Sequence, residues 1–354
     1  MSENRHSTFN LQPSTAPPAL RFGVVGGGSM GYNHIRVLAE MDGVELVGLA
    51  DPDPLARQRI ARRFRIPTFV DYRNMLDQTQ PQAICVVVPT RLHHEVGAAA
   101  IAAGCHVLVE KPIASSCDEG ADLIRRAEER GVLLSVGHIE RFNPAVRELK
   151  RRLGRGDLGT IFQVHARRLG PFPTRVRDVG VVIDLATHDI DVMRFLLGAE
   201  VERVYAETAR RVHTDHEDLL SGLIKFATGA IGVLDVNWLT PTKIRELTVT
   251  AERGMFRVDY LSKDLFFYQN DSVEQTWRPG EGLTRVSEGD VLKIRLDRQE
   301  ALAAELAAFA AAARGDGPAI VTADDGLEAL RLAEAIVRSG LEHREISPHE
   351  VSLV

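Results

Sequence analysis

From Arg21 onward, short runs of β-branched residues alternate with stretches whose apolar positions recur every three or four residues. The runs "RFGVVG", "VELVGLAD", "AICVVVPT", "HVLVEKP" and "LLSVGH" are almost continuously apolar, the pattern of strands covered on both faces. Between them "HIRVLAEM", "PLARQRIARRF" and "SCDEGADLIRRAEERG" keep a helical period. Alternation of this kind predicts an α/β unit over residues 21–140, a doubly wound parallel sheet flanked by helices.

After "RFNPAVRELKRRLG" the period changes to two. "TIFQVHARRLG", "VERVYAETARRV", "DLLSGLIKFATGAIGVLDVNWL" and "RELTVTAERGMFRVDYLSKDLFFY" alternate polar and apolar positions. Turn pairs such as Thr228-Gly229 and Arg253-Gly254 join neighbours, which predicts a large, open, mostly antiparallel sheet. One helical stretch, "VVIDLATHDIDVMRFLLG", interrupts it, and the Ala-rich helices "RQEALAAELAAFAAAARG" and "ADDGLEALRLAEAIVRSG" follow. The second unit is thus an α+β domain over residues 141–354. Residues 1–20, polar and proline-bearing, read as a flexible tail before the first unit.

Composition narrows the function. Hydrophobic residues at 44% and charged residues at 26% describe a soluble globular chain, and a net charge of −6 argues against a nucleic-acid partner. No apolar run reaches the ~18 residues that a membrane span needs. Cys85, Cys105 and Cys117 form no C-x-x-C pair, which fits a reducing cytoplasm and supplies neither a disulfide framework nor a zinc site.

The stretch "VVGGGSMG" sets Gly26, Gly28 and Gly31 in a G-x-G-x-x-G pattern between a strand and a helix, with Ser29 and Met30 inside it. Gly26 permits the tight turn, Gly28 lets backbone approach a pyrophosphate, and Gly31 lets helix and strand pack closely. Asp51 ends the second strand about 20 residues on, where a carboxylate accepts ribose hydroxyls and repels a 2′-phosphate. The cofactor expected is therefore NAD, with Arg57 close enough to soften that preference. Ligands of such sheets lie beyond the strand carboxyl ends, so Pro89, Thr90, His93, Glu110 and Lys111 join the predicted cofactor crevice.

These motifs, with "PTRLH" and "GCHVLVEKP", resemble the Gfo/Idh/MocA (glucose–fructose oxidoreductase and inositol dehydrogenase) family. The similarity continues through "RFNPAV" and "GVVIDLATHDID", and so spans nearly everything after Arg21. It implies an NAD-dependent dehydrogenase acting on a CH–OH group, with a Rossmann domain and an open sheet through which relatives form homodimers or homotetramers. "GHIERFNPAV" and "RRLGPFPTRVRDVGVVIDLATHDIDVMRF" are most similar to bacterial UDP-N-acetylglucosamine 3-dehydrogenases, which oxidise the sugar's 3-hydroxyl to a ketone. Ala186 stands where many relatives carry glycine.

Oxidising a secondary alcohol requires a base within hydrogen-bond reach of the hydroxyl. The resemblance implies catalytic roles for Lys111, Asp184 and His188. Asp184 and His188 are spaced i, i+4, so on a regular helix they share a face and the carboxylate can hold the imidazole in one tautomer. Lys111 or His188 can be the base; the favoured arrangement has His188 as base and Lys111 as orienting acid. Glu110 alternates with Lys111 across the strand, which leaves it a cofactor-side or structural role. Among the arginines before the catalytic helix (Arg167, Arg168, Arg175, Arg177), Arg168 is chosen with Arg141 and Asn143 to meet substrate diphosphate or hydroxyls. Asp184 and His188 also face the substrate. His213 and His216 have a metal-like spacing without a clear third ligand, so no metal site is expected. The partner expected is a small molecule, a nucleotide sugar. Alternatives are a cyclitol or free-sugar dehydrogenase, an NAD-using glycosidase and a non-catalytic nucleotide sensor.

Overall fold

The apolar runs of the first half lie side by side as parallel strands. In the computed structural model, which describes residues 18–173, 179–213, 215–270 and 288–351, they are β1 (Leu20–Val25), β2 (Val44–Ala50), β3 (Thr68–Phe69), β4 (Ala83–Val86), β5 (His106–Glu110) and β6 (Leu134–Gly137). Their order is β3-β2-β1-β4-β5-β6. The direction in which successive strands are added reverses between β1 and β4, so a crevice opens at the carboxyl ends of these two parallel strands. Helices α1 (Ser29–Glu40), α2 (Pro54–Phe64), α3 (Tyr72–Thr79), α4 (His93–Ala102) and α5 (Cys117–Arg130) cover the sheet. Every residue of β4 is buried, as an interior parallel strand requires. Asp53 caps α2 by accepting from the Leu55 and Ala56 N–H groups, and Pro54 starts the helix where a missing N–H costs nothing.

The second sheet carries the alternating half of the chain. Helix α6 (Pro144–Gly154) leads into β7 (Ile161–Pro171), and the sheet continues with β8 (Val201–Ala209), β9 (Leu219–Phe226), β10 (Ile231–Asn237), β11 (Leu239–Ala251), β12 (Gly254–Asp259), β13 (Asp264–Asn270) and β14 (Glu288–Ile294). Its order is β14-β13-β12-β11-β7-β10-β9-β8, antiparallel except at the β7–β10 pair. The two-residue β3, α3 and the edge strand β14 carry too little period for the sequence pattern to announce them. The stretch "VVIDLATHDIDVMRFLLG" is not one regular helix: a π-helical turn, Val182–Ala186, precedes α7 (Thr187–Leu197). Residues 1–17 of the expected tail lie outside the described residues, as do Arg175 and Arg177.

The last two helices tie the sheets together. Helix α8 (Ala301–Ala313) sends Leu302, Leu306 and Phe309 into the core of the first sheet, where Phe309 meets Phe22 edge-on at 6.0 Å. Helix α9 (Ala323–Glu342) places Leu327 and Leu330 in that sheet's other core and Leu332, Ala333 and Ile336 in the core of the second. Thr322 and Asp325 close a capping box at its start. No helix among the described residues is long and apolar enough to cross a membrane.

Charge also ties the segment after β6 to α7 and α9. Arg141, just after β6, is 4% exposed and grips Asp191 of α7 with Nε and Nη2, at 2.6–3.1 Å. Its Nη1 reaches Asp325 of α9 at 2.9 Å. Breaking such a pair strands a buried cation. Asp191→Ala is therefore expected to lower stability by about 3–5 kcal/mol, read as a lower urea midpoint at unchanged m-value; an unaltered midpoint would refute the network's role.

Candidate active site

The glycine loop between β1 and α1 is shaped by close backbone approach. Gly26 has φ +102°, and a Cβ there would meet the Val87 carbonyl oxygen at 2.1 Å. A Cβ on Gly31 would lie 1.9 Å from the Gly26 oxygen, so helix and loop pack against each other only without side chains. Gly28 differs: a Cβ there would have nothing within 4 Å, so its freedom from a side chain leaves open space above the N-terminus of α1. Ser29 begins the helix and Met30 packs on the first sheet's core. Asp51 accepts from Gly27 N–H at 2.5 Å and Asp53 N–H at 2.7 Å, which aims its carboxylate at the loop. Arg57 donates to the main-chain oxygens of Asp51 and Pro52. An open, donor-lined cradle ending in a carboxylate fits a dinucleotide: Gly26, Gly28, Ser29 and Gly31 would take its pyrophosphate and Asp51 its ribose.

At the end of β5, adjacent residues reach in opposite directions. Glu110 accepts from, or shares a proton with, His34 Nε2 at 2.9 Å, linking β5 to α1. Burial pushes the Glu110 carboxyl up, but His34 and the charge of Lys111 outweigh it and hold the group below its usual value. Lys111 Nζ donates to the Asp184 carbonyl at 2.6 Å and to its Oδ1 at 3.2 Å. An ammonium has three donors, so one remains for a ligand. Nearby, the His93 ring nitrogens lie 2.8 Å from the Pro112 oxygen and 2.9 Å from the Val88 oxygen. Burial lowers its pKa, and a neutral ring donates to only one of them; His93 thus braces the two strand ends and is 1% exposed. Pro89 precedes the short turn Thr90–Leu92, and Thr90 lines a cleft with Pro112, Val179 and Ile183.

The expected hydrogen bond between Asp184 and His188 does not form. Asp184 lies in the π turn and His188 in α7 beyond it, and a π turn holds more residues than an α turn. The Asp184 carboxylate turns to Lys111 instead of to the imidazole. His188 as a residue is only partly buried, while its Nδ1 is buried with no hydrogen-bond partner among the described residues. Burial, with the charge of Lys111 next, holds its pKa well below the usual imidazole value. The ring is neutral at ordinary pH and can accept a proton.

Three residues expected at the substrate are occupied otherwise. The Arg141 fork is taken by Asp191 and Asp325. Arg168, 5% exposed, binds Asp189 at 2.7 and 2.9 Å and approaches Glu140 at 3.3 Å. Asn143 caps α6 by accepting from Ala145 N–H. His213 and His216 join Phe172 and Trp238 in a ring cluster, and no group of three or more candidate metal ligands occurs among the described residues. Two histidines escaped the sequence pattern. His34 faces inward from α1, and only its pairing with Glu110 distinguishes it from a core residue. His138, just past β6, is buried with neither ring nitrogen hydrogen-bonded among the described residues and Nδ1 3.8 Å from Asp191. Its position beyond a strand's carboxyl end was the available signal.

The space above Gly28 separates folding from binding. Gly28→Ala is expected to melt within about 1 °C of the parent, since most open surface sites cost under ~0.5 kcal/mol. NADH affinity, followed by fluorescence titration, should fall at least about tenfold because the methyl fills the pyrophosphate's approach.

Comparison with known proteins agrees with this geometry. Residues 20–138 match the family described as "Oxidoreductase family, NAD-binding Rossmann fold", and residues 146–257 match the "GFO/IDH/MocA C-terminal domain". The chain is 29% identical over 319 residues to UDP-N-acetylglucosamine 3-dehydrogenase of Acidithiobacillus ferrooxidans, covering 90% of this chain and 96% of that protein. The solved structure of that enzyme superposes with a TM-score of 0.79 at 28% identity, over 91% of this chain and 97% of the other. The WlbA dehydrogenase of Bordetella pertussis, solved with NADH and UDP-GlcNAcA, gives a TM-score of 0.77 at 26% identity over 93% and 98% of the chains. The scyllo-inositol 2-dehydrogenase (NAD(+)) of Bacillus subtilis is 29% identical over 251 residues, 67% of this chain and 73% of that one. With both sheets, the glycine cradle and both domain matches in place, the chain belongs to the Gfo/Idh/MocA family and is an NAD-dependent oxidoreductase acting on CH–OH groups.

Proposed function

We propose that the protein oxidises the C3 hydroxyl of a UDP-linked N-acetylhexosamine to the 3-keto sugar. The observation that carries this reading is the Lys111–Asp184 pair beside a neutral His188 at the carboxyl end of the sheet, in a chain similar along 90% of its length to a UDP-N-acetylglucosamine 3-dehydrogenase. NAD, when bound, supplies the acceptor for the hydride leaving C3. The free N–H of Lys111 hydrogen-bonds the reacting hydroxyl and favours its anionic form. His188 takes the hydroxyl proton, and the surrounding cations then encourage the imidazolium to pass it on. Asp184 neutralises and orients Lys111, so it acts through the lysine.

A free cyclitol is the second reading, because the inositol dehydrogenase of Bacillus subtilis is equally identical over a shorter stretch. In either reading the compartment is the cytoplasm, supported by three buried free cysteines. A second copy packs on the outward face of the large sheet, where Tyr205 and Leu223 pair across strands and are exposed with Ile231.

Incubation with NAD and UDP-N-acetylglucosamine should generate NADH, with a 2-oxo acid included to reoxidise any retained cofactor. Turnover of myo-inositol with none of any UDP-hexosamine would transfer the assignment to the cyclitol. Lys111→Ala and His188→Ala should each lower kcat about 10²–10⁴-fold with NADH affinity retained. The lowered His188 pKa leaves the proton acceptor unprotonated below the ordinary imidazole value. The acid limb of kcat/KM should accordingly fall below about pH 6.5, and a limb at or above that value would remove His188 as the base.

A further inference from the structure

Strands β7 and β11 pair so that Arg168 and Arg245 stand directly opposite each other. Like charges in that position repel unless anions attend them. Arg168 has its anions in Asp189 and Glu140. Arg245 has no ion-paired carboxylate among the described residues; its Nη1 donates to the carbonyl oxygens of Leu169 at 2.6 Å and Ile244 at 3.0 Å. Nη2 and Nε donate to no described group, and together they form the guanidinium edge suited to a phosphoryl group.

Arg245 stands opposite Arg168, whose partner Asp189 adjoins His188 in α7. Arg245 is among the cations that act on His188, and Asp184 in turn acts on Arg245. Burial, together with Arg168, pulls its pKa below the ordinary guanidinium value, and the more distant Asp189, Glu140 and Asp184 only partly oppose this. Lys243, two residues earlier, is exposed and likewise lacks an ion-paired carboxylate among the described residues. A Cβ built on Gly170 of β7 would stand 3.6 Å from Lys243 Cγ and 3.7 Å from Arg245 Nη2, so the two cations flank a position with no side chain.

We propose that Arg245, assisted by Lys243, is the anion subsite of this active site and binds the diphosphate of a nucleotide-linked substrate. The assignment rests on the nucleotide-sugar reading above, and it replaces Arg168, whose fork is already filled. Binding supplies the counter-charge that the β7–β11 register leaves out.

Calorimetric titration of the NADH-loaded protein with UDP, uridine and inorganic pyrophosphate tests it. The parent should bind UDP more tightly than uridine. Arg245→Gln should weaken UDP about 10- to 100-fold, the loss of a hydrogen bond to a charged group, and leave uridine unchanged. Equal UDP affinity in parent and variant would overturn the subsite. If Arg245→Gln does not fold, Lys243→Gln, at an exposed site, reads the same effect: a several-fold loss for UDP sustains the proposal and no loss overturns it. Failure of the nucleotide-sugar reading is recognised separately, by absent turnover of every UDP-hexosamine. Pyrophosphate then decides: competitive inhibition of the sugar or cyclitol that is oxidised, weakened in either variant, sustains the subsite, and absent or unweakened inhibition overturns it.

Discussion

The site depends on one ammonium group held between a main-chain carbonyl and a carboxylate of the same residue. Lys111 directly follows the fifth strand of the first sheet, and Asp184 belongs to the helical segment entering from the second. A lysine at the end of an apolar strand would be expensive to desolvate alone. Asp184 offsets that cost, and in doing so fixes where the nucleotide half meets the half that carries His188. One residue earlier, Glu110 makes the reciprocal link to His34 and the helix behind the glycine loop. Two neighbouring residues at the end of one strand therefore hold both the cofactor side and the substrate side of the crevice.

The same economy runs through the segment "DLATHDID". Asp184, Asp189 and Asp191 each take a different cation, namely Lys111, Arg168 and Arg141, drawn from three separate parts of the chain. His188 stands among these pairs with no paired carboxylate among the described residues, and cations dominate the field on it. Its neutrality follows first from burial and next from these cations. Had Asp184 turned to the imidazole, the histidine would have been more basic and the lysine without an anion.

The glycine loop, Asp51 and the strand-end lysine were legible in the sequence because each rests on local rules: tight turns, close backbone approach and the carboxyl-end crevice of parallel sheets. The period-two pattern of the second half was equally direct, since one buried face imposes it. What was not legible depended on distance and on helical phase. Nothing in "VVIDLATHDID" marks the π turn or shows that Asp184 turns to Lys111 in place of His188. Arg141 and Arg168 read as free forks because their carboxylates, Asp325 and Asp189, lie 184 and 21 residues away. Arg245 was missed for the converse reason, since only the strand register shows that its neighbour has been neutralised and it has not.

Helix α9 carries a consequence for motion. Its first turns are part of the nucleotide half's interior and its later turns part of the other half's. A hinge that swung one half against the other would have to bend this helix or pull apolar side chains into water at one end of it. The shared packing of α9 thus opposes a hinge motion that would separate Lys111 from His188.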